Sequence, residues 1–265
     1  MPVEVRYLTD PACSWSWAAE PFVRRLMVEF GDSLSWSWVM VGLARDYAGG
    51  YSGLADHWLD VADEARMPLD PRLWRESPIR STYPACMAVK AAAEQAPDGG
   101  YRYLRTLREG LLCLRRKLDT TEALVDAARE AGLNVERFRI DLQSHAIVEA
   151  FGTDLEEARE AGGGERVSSP SAVFVAANGS RHDVSGRRPY DELRAAALAA
   201  GAEPGGGERP GVTEALRRFG RMATREVEEV CGLPGPRAAA ELWRMATEWQ
   251  VRPVRVLTGH LWELA

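Results

Sequence analysis

The order of its hydrophobic patterns constrains this chain most: a strand, a helix and a strand, then more than a hundred residues with no strand pattern. "VEVRYL", 3–8, alternates apolar and polar and is read as a strand. After the loop "TDPAC", the segment "SWSWAAEPFVRRLMVEFG" sets Trp15, Ala18, Ala19, Phe22, Val23, Leu26, Met27 and Phe30 at helical spacing and closes at Gly31. "LSWSWVMVGL", 34–43, is β-type again, so the start is a β-α-β unit with parallel strands and a right-handed crossover. Helical patterns broken by turns then run from about 54 to 161 ("LADHWLDVADEA", "YPACMAVKAAAEQA", "YRYLRTLREGLLCLRRKL", "TTEALVDAAREAG", "NVERFRIDLQS"), an inserted helical subdomain. "SAVFVAA", 171–177, the turn "NGS" and "RHDVSG" form a hairpin, and "RPYDELRAAALAAG" a closing helix.

Residues 202–211, "AEPGGGERPG", are read as a linker between a domain over 1–201 and a module over 212–265. The module holds three helical patterns, "VTEALRRFGRMA", "TREVEEVCGL" and "PRAAAELWRMATEWQ", then a hairpin, "VRPVRVLTGHLWEL", turning at Thr258-Gly259. That is the order of a small winged helix; a plain cap on the main domain is the alternative. The fold class is α/β with this small α+β module. A net charge of −6 gives no general attraction to nucleic acid or anionic membrane. From Glu208 onward nine arginines face eight glutamates, so contact with protein, or dimerisation, is favoured over DNA binding. The start has no signal-peptide pattern, and no apolar run reaches the ~18 to 20 residues of a membrane span, so a cytoplasmic protein is expected. Cys13, Cys86, Cys113 and Cys231 lie far apart, with neither C-x-x-C nor zinc spacing; no disulfide framework and no metal are expected.

The loop before the first helix reads "DPACSWSW", with Cys13 three positions ahead of Ser16. A sulfur at a helix N-terminus faces unpaired N–H groups and the positive end of the dipole, which favour the reactive thiolate. Trp15 and Trp17 would give an apolar landing surface beside it. Ser16 can hydrogen-bond a thiolate but cannot resolve a mixed disulfide. The alternative reading of Cys13 is a small buried apolar residue. In "RVSSPSAVFV", 166–175, Pro170 restricts Ser169 to extended backbone and removes a ladder donor.

Strand, "DPxC" loop, helix, strand, helical insertion, proline-led strand, hairpin and last helix together resemble the DsbA-like branch of the thioredoxin superfamily. "DPACSWSWAAEP" is similar to the D-P-x-C-x-x-C-W-x-x-E-P signature of its cytoplasmic members, which include FrnE-like oxidoreductases and the ClpXP adaptor proteins that bind the Spx regulator. The similarity continues through "MPLDPRLW" and "STYPACMAVKAA", spanning roughly residues 3–200. It implies a nucleophilic Cys13 facing a cis-proline loop at Ser169-Pro170, which offers backbone to an extended substrate segment. Ser16 stands where the family has its second cysteine, a departure from dithiol chemistry.

Three functions follow from the resemblance. One is a cytoplasmic thiol-disulfide oxidoreductase working with a single thiol. Cys13 would attack, Ser16 would support the thiolate, and Trp15, Ser169 and Pro170 would hold the substrate; no cofactor is bound and glutathione serves as co-substrate. The second is a non-catalytic adaptor that binds another protein in the same groove. The third is a glutathione-dependent isomerase or transferase, a group with serine at the first motif position rather than the last. Cys86 and Cys113 are read as core, with a resolving-thiol role as the sharper alternative, and Cys231 as core. His57 is read as a surface or packing residue, and Glu156-Glu157 and "REVEEV" as solvated helix faces.

Overall fold

The structure, a computed structural model, describes residues 2–47, 50–165 and 167–265. Strand β1 (Val3–Thr9) runs inside a four-stranded sheet of order β2-β1-β3-β4. Its alternation buries Val3, Val5 and Tyr7, and its last three residues are all buried because both sheet faces are covered there. Helix α1 (Ser14–Phe30) carries the chain over to β2 (Leu34–Met40), which pairs with β1 in parallel, Val5 opposite Trp36. Parallel neighbours need such a crossover, since a tight turn cannot join them. Strand β3 (Ser171–Val175) pairs antiparallel on the other side of β1, Tyr7 opposite Ala172, and leads through a turn into β4 (Arg181–Ser185) and helix α9 (Tyr190–Ala199).

Between β2 and β3 lie helices α2 (Leu54–Ala65), α3 (Leu73–Glu76), α4 (Tyr83–Ala93), α5 (Gly99–Arg108), α6 (Thr121–Glu130), α7 (Val135–Leu142) and α8 (His145–Ala161). Helix α5 runs on into a π-helical turn over Glu109–Cys113. Helix α1 is sandwiched: Trp17 and Ala18 join the insertion's core with Trp58, Trp74 and Leu107, while Phe22, Leu26 and Phe30 join the sheet's core with Val5 and Phe174. A helix apolar on two sides must be covered on two sides. No helix among the described residues is long and apolar enough to cross a membrane.

Residues 202–211 run without regular structure along the end of α1, where Gly205 N–H donates to Glu29 O at 2.7 Å and Glu203 N–H to Ser33 Oγ at 2.8 Å. Helices α10 (Val212–Phe219), α11 (Thr224–Cys231) and α12 (Arg237–Thr247) follow, with a sheet of order β5-β7-β6. Its strands are β5 (Met222–Ala223), β6 (Val251–Val256) and β7 (Gly259–Leu264). The expected helix over 212–223 stops early because Gly220, at φ +69, turns the chain so that Met222 pairs with Trp262 as a third strand. The expected helix through Gln250 ends at Thr247, and Trp249, at φ +57, lies beyond it.

"REVEEV" is not a solvated face. Glu226 is fully buried, accepts from both Arg105 Nη atoms (2.8 and 2.9 Å) and from Ala223 N–H (2.7 Å), and forms an ion pair with Arg24 Nη1 at 3.1 Å. Arg24 also donates to Phe219 O and Arg221 O, each at 3.1 Å, while Arg108 grips the buried Glu20 and Thr9. Glu228 pairs with Arg66 at 2.6 Å and with Arg225 at 2.7 Å. A carboxylate that deep would cost several kcal/mol if left unpaired, so the guanidinium groups of α1 and α5 fix the module in place. Glu157 is likewise engaged, by Arg6 of β1, while Glu156 is exposed. Farther round the joint, Leu69 N–H donates to Thr258 Oγ1 (2.7 Å), which donates to Leu69 O (3.0 Å), tying the terminal hairpin to the loop after α2.

Candidate functional site

Cys13 is the N-cap of α1, with extended backbone at φ −76°, ψ 110°, and its Sγ accepts the Ser16 N–H at 3.4 Å. The turn that brings it there is closed by Cys13 N–H on Asp10 O (3.2 Å) and by Ala12 N–H on Asp10 Oδ1 (2.8 Å). Asp10 Oδ2 receives Leu43 N–H (2.7 Å), Thr82 O–H (2.8 Å) and Cys86 S–H (3.3 Å). Burial pushes the Asp10 carboxyl up from its ordinary value, against the pull of these donors. One side chain thus joins the motif loop to the loop after β2 and to the start of α4.

Opposite the sulfur lies Ser169, whose carbonyl accepts the Cys13 S–H at 3.4 Å, and the Ser169–Pro170 peptide is cis. The Ser16 hydroxyl does not turn to the sulfur as expected. It meets Ser169 Oγ at 3.2 Å, so the backbone amide supports Sγ and the hydroxyl holds the loop.

Cys13, Trp15 and Ser169 line a cleft of about 1130 Å³, walled further by Trp74 and Tyr47 from the insertion side. Trp15 is half-buried there, with the Arg187 guanidinium 5.7 Å from its ring. Trp17 is not part of the landing surface. It is 0 % exposed, donates its indole N–H to Pro68 O at 2.9 Å and carries Arg105 4.3 Å from its ring, because its position on α1 turns it into the insertion's core. His57, assigned on sequence to surface or packing, lines this cleft and meets Ser14 Oγ through Nε2 at 3.2 Å, its ring against Trp15. The signal for it is weak: nothing in the α2 pattern singles out His57, which stands next to the buried Trp58.

Cys86 and Cys113 do not line the cleft. Both are buried free thiols, Cys86 on Asp10 and Cys113 on Pro68 O (3.2 Å), and burial raises both well above the ordinary thiol range. Cys231 is half-buried in the module, its thiol pushed by burial to about 11. Among the described residues, Cys13 is the one thiol that lines the cleft.

A family model described as Thioredoxin matches residues 7–195. Among curated relatives, the "ClpXP adapter protein SpxH" of Halalkalibacterium halodurans is 28% identical over 273 residues, covering 98% of this chain and 88% of that protein. The protein of the same name from Bacillus subtilis is 25% identical, covering 99% and 89%. Among solved structures, the cytosolic disulfide reductase DsbM of Pseudomonas aeruginosa superposes with a TM-score of 0.59 at 19% identity, over 69% of this chain and 89% of that one. A Streptomyces coelicolor protein described as a probable DsbA oxidoreductase gives a TM-score of 0.60 at 18% identity, over 75% and 89%. At such identities the solved structures show the shared fold.

Proposed function

Because the chain belongs to the thioredoxin family, in its DsbA-like branch, we propose that it is a cytoplasmic adaptor that takes a segment of a client protein into the cleft beside Cys13 and delivers it to a ClpXP-type protease. The observation that carries this reading is the single sulfur. Cys13 sits on a helix N-cap 3.4 Å from the Ser169 carbonyl, Ser16 replaces a second thiol, and the other cysteines near the fold's centre are sealed off. Relatives named as ClpXP adapters align over nearly the whole chain, terminal module included. In this role Ser169 and Pro170 present backbone to an extended client segment, Trp15 gives its side chains an apolar floor, and Cys13 contributes fit.

The helix N-cap favours a second reading, a monothiol oxidoreductase. The Cys13 thiolate would attack a glutathionylated client at the glutathione sulfur, releasing the client thiolate, which takes up a proton. A second glutathione thiolate would then free Cys13, yielding oxidised glutathione.

One paired experiment separates them. Proteins retained by the immobilised chain are offered to purified ClpX and ClpP with and without it. The adaptor reading expects faster degradation with the chain present, loss of that effect in Trp15→Ala, and its persistence in Cys13→Ala. It fails if degradation is unchanged while wild type, but not Cys13→Ala, turns over a glutathionylated peptide with glutathione.

A further inference from the structure

A second cleft, of about 1020 Å³, opens among the end of α1, strand β2, helix α5 and the end of α10, and shares no lining residue with the cleft at Cys13. Its floor is an aromatic ladder. Trp36 stacks on Trp38 (5.5 Å between centroids, 11° between planes), and Trp38 stacks on Tyr101 (4.8 Å, 16°). The ladder is held rigid from behind: Tyr7 meets Trp38 edge-on at 5.5 Å, and the Tyr101 hydroxyl donates to Glu20 and accepts from Arg24, each at 3.1 Å.

Its rim is cationic where α10 ends. Three of the four lining carboxylates are already held: Asp98 by Arg102, Glu130 by Arg116, Glu109 by Arg105 and Arg221. Only Asp32 stands against Arg217 and Arg218. Arg217 has no acceptor among the described residues, and Arg218 has one carbonyl, Met27 O at 3.0 Å, with Phe219 beneath its guanidinium.

We propose that this cleft is a second protein-docking site, for an extended segment of a partner that carries acidic side chains next to aromatic ones. Tryptophan, tyrosine and arginine are the residues that anchor protein interfaces, and a floor already rigid loses little freedom when it is covered. The size lies at the top of the range for small-molecule sites, and the spare guanidinium groups suit carboxylates that bind in forked geometry. The adaptor reading supplies the need, since an adaptor holds two proteins at once; the geometry of this cleft stands without it.

The test selects short random peptides displayed on phage against the full chain, with counter-selection against Arg217→Glu/Arg218→Glu. The expected winners pair Asp or Glu with Trp, Phe or Tyr. A synthetic copy of a winner should bind at least about tenfold more weakly to the double variant and to Trp36→Leu, the loss typical of a hot-spot anchor. The same peptide should bind Cys13→Ser and Trp15→Ala as it binds wild type, so failure here is separable from failure of the reading at Cys13. The single variant Arg217→Glu, on an exposed side chain, covers the case in which the double variant melts early. No peptide enriched over the double variant, winners without acidic residues, or tryptophan quenching by ATP that the charge reversal removes would each overturn the proposal, the last by assigning the cleft to a small molecule.

Discussion

Cys13 is 5 % exposed yet borders an open cleft, whereas Cys86 and Cys113 are enclosed and their thiols pushed far up by burial. Alkylation of the native protein near neutral pH should therefore mark Cys13 first, with Cys231 slower because its thiol ionises only at about 11. Peptide mass mapping of a short iodoacetamide time course reads this directly, and early labelling of Cys86 would contradict it. The motif loop and the proline-led strand are two local signals, and it is the family resemblance they carry, not either signal alone, that implies the pairing of Cys13 with Ser169. His57 and Ser14 gave no such signal. They lie 43 residues apart, and only the packing of α2 beside α1 brings them to one cleft. Trp15 and Trp17 look equivalent in the sequence, and the turn of the helix sends one to the cleft and the other to the core.

Among the elements, the bend after β2 decides where the cleft has its far wall. Gly42, at φ +59, passes so close to its neighbours that an added Cβ would lie 2.8 Å from Tyr83 Cε1 and 2.9 Å from Leu155 Cδ2. Gly42→Ala combines unfavourable backbone with overpacking and should cost on the order of 1–3 kcal/mol. The expected reading is a lower urea midpoint with an unchanged denaturant slope, and an unchanged midpoint would mean that Tyr83 and Leu155 give way freely. The strands of the main domain and most of its helices were legible because each repeats its apolar period over several turns or pairs; α3, four residues long, and α8 were not among the segments read as helices. Strand β5 was not: two residues carry no period, and their pairing is set by β7, some forty residues away in sequence.

In the whole molecule, buried charge joins the parts that sequence patterns kept separate. Desolvation alone would raise the Glu20 carboxyl, but Arg108, Arg105 and Arg24 together pull it below its ordinary value of 4.5. A depressed folded-state value means that its stabilisation is complete above 4.5 and is lost as pH falls through the lower folded value. Glu20→Gln should thus lower stability by roughly 3 kcal/mol at neutral pH, the scale of breaking a buried pair. The gap between variant and wild type should narrow as melts are taken at increasingly acid pH. A gap of constant size across that series would show that packing, not charge, makes the difference. Helical spacing could not reveal this network, because a glutamate on an amphipathic pattern reads as solvated until the arginines of another element are brought against it.

The tie between Thr258 and Leu69 has a mechanical side. The very next carbonyl, that of Pro68, takes both the Trp17 indole and the Cys113 thiol, so the terminal hairpin and the base of the first helix grip adjacent links of one chain. A tug on the tail would reach the helix that carries Cys13 through a single peptide unit. The turn between β6 and β7 and the helix that carries Cys13 are thereby one peptide unit apart, although some 240 residues separate them in sequence.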